Sequence, residues 1–127
     1  MSIRSFMDLE AWKKARQLRR EISILVKSFS SHERFELTSQ IKRSARSVTA
    51  NIAEGYGRFH HQENIQFCRI ARGSLTETLD HLTVALDEEY LNDSEFETFE
   101  GKLEECLKIL NGYINYLKKA KKRPINQ

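Results

Sequence analysis

Proline occurs once in this 127-residue chain, at Pro124, so nothing before it removes a backbone donor or kinks a helix. Five glycines accompany it. An all-β fold of this length would need many Gly/Pro turn signals, and they are missing. The chain is therefore read as all-α. Its length fits one domain whose core needs neither disulfide nor metal.

Apolar periodicity divides the chain into four helices. The first is expected over about residues 8–29, with Leu9, Trp12, Ala15, Leu18, Ile22, Leu25 and Phe29 at steps of three and four. Ser5 or Asp8 is placed to cap it. Ser30 and Glu33 form a capping-box signature that opens a second helix over about 31–56, with Leu37, Ile41, Ala45, Val48, Ile52 and Tyr56 on one face. Gly55 and Gly57 are expected to end it in the left-handed conformation. A third helix, about 62–88, carries Ile65, Cys68, Ala71, Leu75, Leu79, Leu82 and Leu86. Gly73 inside it is read as a point of close backbone approach. Ser94 and Glu97 form a second capping box, opening a fourth helix over about 94–120 with Phe96, Phe99, Leu103, Leu107, Leu110, Ile114 and Leu117. A basic tail occupies about 118–127.

Short connections make neighbouring helices antiparallel, which predicts an up-down-up-down four-helix bundle. Its register places Ile52 near Cys68, Ser47 near Gly73, Ile41 near Leu79 and Cys68 near Ile114. Cys68 and Cys106 read as small core residues too far apart for a disulfide. Asn51 and Glu54 on helix two and Arg69, Arg72 and Ser74 on helix three suggest a polar network, with Asn51 facing Arg69 and Arg43 or Arg46 facing Ser74 and Glu77. Ordinary exposed ion pairs are the other reading. Apolar residues beside the stripes suggest a subunit interface: Phe67 and Ile70; Ile109, Tyr113 and Tyr116; Ile24 and Val26. A wide core face would account for the same residues.

The formal net charge is +3 and unevenly spread. Residues 1–72 hold 14 Lys/Arg against 7 Asp/Glu, residues 73–105 hold 11 acids and one lysine, and residues 106–127 hold six Lys/Arg and no acid. Such separation can steer a polyanion or guide self-association, and it can also be a plain solvated surface. The basic residues on the first two helices, Lys13, Lys14, Arg16, Arg19, Arg20, Lys42, Arg43 and Arg46, form a candidate phosphate-binding surface without an evident stacking platform.

No phosphate-binding glycine loop, nucleophile elbow or helical His-Glu-x-x-His occurs. His32, His60, His61 and His81 lack partners at metal-ligand spacing, so no catalytic residue, cofactor or metal is expected. No apolar run spans a membrane, and the opening residues do not form a signal peptide, so a cytoplasmic location is expected.

Three segments carry a family resemblance. Residues 6–15, Phe-Met-Asp-Leu-Glu-Ala-Trp-Lys-Lys-Ala, resemble the opening of the bacterial four-helix-bundle proteins encoded within intervening sequences of large-subunit ribosomal RNA genes. The segments from Ser47 to Arg58 and from Phe67 to Leu75 are more specific, containing Asn-Ile-Ala-Glu-Gly and Ala-Arg-Gly-Ser, and Leu37 to Ile41 also fits. Thr49 stands where the family usually has proline, and Arg46 where it usually has a small or aliphatic residue. The resemblance implies a ring-like homopentamer. It also implies similarity to the accessory proteins of diversity-generating retroelements, which bind a reverse transcriptase and nucleic acid through a basic pentamer. It brings no catalytic residues. Asn51, Glu54, Arg72 and Gly73 match its motif positions and are expected to be structural or interface residues, together with Phe67 and Ile70. The expected function is a non-enzymatic, homo-oligomeric binding protein for RNA or an RNA-associated protein. The alternative is a purely structural protein–protein module.

Overall fold

Ser5 and Asp8 organise the first turn. The Ser5 hydroxyl accepts the Met7 amide at 3.1 Å, and the Asp8 carboxylate accepts the amides of Arg4 and Ser5. They cap a 3-10 turn, Phe6–Asp8, and the long helix starts beyond it. In a computed structural model describing residues 2–121, four helices follow: α1 Glu10–Leu25, α2 Leu37–Gly57, α3 His61–Asp87 and α4 Asp93–Lys121. No strand occurs among the described residues. Lys122, Arg123 and Pro124 of the basic tail lie outside them.

Three of the expected boundaries move, each for a local reason. α1 gives way to a 3-10 turn at Val26–Ser28, short of Phe29. The expected Ser30/Glu33 box does not form: Ser30 accepts the His32 amide and caps only a 3-10 turn, Ser31–Glu33, because Glu36 (φ −118°, ψ −105°) leaves the helical region. Glu33 still starts α2: one carboxylate oxygen accepts the Leu37 amide at 3.3 Å, and the other accepts the Tyr90 hydroxyl at 3.0 Å. At the head of α4 the reciprocal box is Asn92 with Glu95, two residues before Ser94 and Glu97. Asparagine caps as well as serine, so the first such pair after the turn is used.

The glycines also behave differently from expectation. Gly55 and Gly57 lie inside α2, and no described glycine has positive φ; the left-handed residues are Phe59 (φ 54°) and Glu89 (φ 62°). Gly73 is exposed, with nothing within 4 Å of where a Cβ would stand. The close approach is at Gly55, where a Cβ would meet Asn64 Oδ1 at 2.8 Å and Phe67 Cβ at 2.9 Å.

Small residues and hydroxyls line the α2–α3 seam. Thr78 Oγ1 is 2.8 Å from Ser44 Oγ and 2.8 Å from the Ser74 carbonyl, and Ser74 donates to Ser47 Oγ at 2.9 Å. Between α1 and α4, Lys14 pairs with Glu105 and Lys102 with Glu21. Between α3 and α4, Asn64 donates to Tyr113 and Arg72 to Asn111. Along each seam the paired numbers rise on one helix as they fall on the other. The α2–α3 register lies about one residue from that expected, since Ser47 meets Ser74 in place of Gly73.

The stripe residues lie in the core or pack against it, except Leu86, which is half-buried while Ala85 takes the core position. Ile22, Ile41, Ile52, Leu82, Leu110 and Ile114 are fully buried, each burial stabilising by about 1.5–3 kcal/mol. Val26 belongs to this core and leaves the expected second face. Trp12 is half-buried, edge-on to Phe6 at 5.1 Å. Cys68 and Cys106 are buried free thiols; burial pushes Cys68 up to about 12 and Cys106 up to about 11.

Two outcomes follow from this packing. Gly55→Ala should lower stability by about 1–3 kcal/mol through overpacking, while Gly73→Ala should raise it by about 0.5–1 kcal/mol through helix propensity; urea unfolding measures both. The folded thiols hold their protons above the 9.0 of an unperturbed thiol. Their contribution to stability is therefore complete below about pH 9 and is lost as pH rises through about 11 to 12. A urea midpoint that stays flat across that window would contradict this.

Candidate nucleic-acid surface and assembly faces

The basic residues of α1 divide by the way they point. Lys14 turns to α4 and pairs with Glu105 at 2.8 Å, a hydrogen bond that raises its pKa against partial desolvation. Lys13 pairs with Glu10 of its own helix at 3.5 Å. Arg16 lies over the Trp12 ring, 5.8 Å from its centroid. Arg19 donates to Thr49 Oγ1 at 2.9 Å, tying α1 to α2. Thr49 thus supplies an acceptor that proline would not have.

The cations other than Lys14 meet in three adjoining surface hollows. Lys13, Arg16 and Arg20 line the first, along α1. Arg20 also lines the second, with Arg19, Lys42 and Arg46, between α1 and α2. Lys42 and Arg46 line the third as well, with Arg34, Phe35 and Arg43. Among the described residues, no carboxylate lies within ion-pair distance of Arg16, Arg19, Arg20, Arg34, Lys42, Arg43 or Arg46. Glu21, the single acid lining any of the three hollows, is engaged by Lys102. Seven of the eight candidate phosphate-binding residues therefore share one strip, and Lys14 does not join it.

Arg34 and Phe35 belong to this strip and were not singled out from sequence. Phe35 is 84% exposed, with the Arg34 guanidinium 5.2 Å from its ring centroid. The available signal was that Phe35, two positions before Leu37, falls off the apolar stripe of α2.

The expected α2–α3 ionic network does not form. Asn51 donates to the carbonyl and hydroxyl of Ser47 on its own helix, not to Arg69. Ser74 bonds Ser47, Glu77 pairs with His81, and Arg72 reaches Asn111 of α4. The seam is too close for long side chains, so short hydroxyls occupy it and the arginines sit outside. Glu54 pairs with Arg58 at 2.9 Å, and Arg58 lies over the Phe67 ring at 5.1 Å.

The suggested assembly residues separate by burial. Ile24, Ile70 and Tyr116 are exposed, whereas Phe67, Ile109 and Tyr113 are half-buried. The Tyr113 hydroxyl accepts from Asn64 and is pushed up to about 12, chiefly by burial. Tyr56, Phe59, Tyr113 and Tyr116 line a hollow of about 320 Å³ with His60 and His61. No group of three potential ligands is close enough to hold a metal ion among the described residues. No described helix is long and apolar enough to cross a membrane.

The molecule is similar to a solved structure described as a protein of unknown function from the S23 ribosomal protein family of Bacteroides thetaiotaomicron. The two share 25% identity and a TM-score of 0.76, over 83% of this chain and 95% of the other. No curated protein matches. The 23S rRNA-intervening sequence protein family matches residues 7–112, which include the whole strip from Lys13 to Arg46 and the α2–α3 seam. The chain belongs to the 23S rRNA-intervening sequence protein family.

Proposed function

We propose that this antiparallel up-down-up-down bundle is a non-enzymatic, homo-oligomeric binding protein whose α1–α2 face takes the phosphate backbone of RNA. The observation that carries the reading is the strip of Arg16, Arg19, Arg20, Arg34, Lys42, Arg43 and Arg46, unpaired by carboxylates among the described residues. Clustered, unneutralised cations draw in a polyanion and release its counterions on contact. An RNA-associated protein such as a reverse transcriptase is a further partner consistent with the family resemblance.

A second reading, a structural module with protein partners only, is favoured by the exposed Ile70 and Tyr116, which lie on α3 and α4 away from the strip. The two readings combine if the bundle assembles through α3 and α4 and leaves α1 and α2 open. The family resemblance implies a pentamer.

Binding of labelled RNA should weaken linearly in log–log salt titration, and Arg43→Ala with Arg46→Ala should reduce the slope by about 0.7–0.9 for each phosphate no longer neutralised. Lys14→Ala, which removes a cation outside the strip, should leave the slope unchanged. Absence of binding at about 50 mM salt rejects the RNA reading. Light scattering should find an oligomer at micromolar concentration, and Ile70→Asp with Tyr116→Asp should shift it toward monomer. A parent protein already monomeric there rejects assembly.

A further inference from the structure

Phe35 exposes a benzene ring that the fold does not use. Its turn is nonetheless held firmly: Ser30 accepts the His32 amide, Glu33 accepts the Leu37 amide, and Tyr90 donates to Glu33. The ring therefore stands out from a fixed backbone, 84% exposed, and the Arg34 guanidinium covers one face at most. Phe35 helps line a hollow of about 290 Å³ together with Thr38, Ser39, Lys42, Arg43 and Arg46.

A double helix presents phosphates outward and keeps its bases stacked on one another, so an open ring gains nothing from it. A single strand can turn a base out onto an aromatic face while its phosphates follow a row of cations. We propose that Phe35 is a stacking platform for an unpaired base, and that the α1–α2 strip takes single-stranded nucleic acid in preference to duplex. This rests on the reading of that face as a phosphate-binding surface and adds to it the class of ligand. Arg34 completes the platform from the side, and Thr38 and Ser39 supply hydroxyls for sugar or phosphate oxygens.

The test uses the full chain with a labelled single strand of about 12 nucleotides, within the site sizes of known single-strand binders, and a duplex of the same sequence. Phe35→Ala should weaken single-strand binding roughly tenfold, leaving duplex binding and the salt slope unchanged. Phe35→Trp should keep single-strand affinity and add a fluorescence signal, above that of Trp12, that is quenched on binding. Circular dichroism should show both variants folded, as expected for an exposed position. Equal loss for single strand and duplex, no loss for either, or no quenching overturns the stacking role while leaving the phosphate surface standing. Failure of the parent protein to bind either ligand overturns both. A change of oligomer mass in Phe35→Ala assigns the ring to a subunit contact and also overturns the proposal.

Discussion

The architecture depends on how closely α2 and α3 approach. Gly55 leaves no room for a methyl group against Asn64 and Phe67, and Ser44, Ser47, Ser74 and Thr78 fill the seam with short hydroxyls that bond across it. Two helices this close cannot accommodate arginine between them. The basic residues of α2 are therefore displaced to the outer side, where α1 brings Arg19 and Arg20 beside them. The core stripe and the charged strip are two results of the same packing.

Charge placement follows a similar logic on α1. One edge of this helix meets the acidic part of the chain, where Glu105 engages Lys14 and Lys102 engages Glu21. The other edge meets α2, which contributes cations and, apart from Glu54 near its end, no acid. The bundle thus neutralises one side of α1 and concentrates positive charge on the other. Arg46, a departure from the usual residue of this family, adds to the concentrated side.

Much of this was legible in the sequence. Helix identity and the buried stripes followed from periodicity, since a missing proline and steps of three and four leave few other solutions. Helix ends were less legible, because Ser30/Glu33 and Ser94/Glu97 are plausible caps and only the turn geometry selects Asn92/Glu95. The close approach expected at Gly73 falls at Gly55, as a glycine's letter does not say which side of its helix is crowded. The cations of the strip were recognisable individually, but their division, with Lys14 apart, depends on partners about ninety residues away. Phe35 carries no periodic signature, and its exposure depends on the turn at Glu36 that delays α2.

The hydroxyl seam has an entropic consequence for the outer face. With the close approach at Gly55, it joins α2 to α3 at positions 44, 47 and 55, spread over three turns, which sets the register and rotation of the helix bearing Lys42, Arg43 and Arg46. Whatever settles on that face meets a backbone already in place, so on the protein's side the loss of conformational freedom is confined to its Lys and Arg side chains.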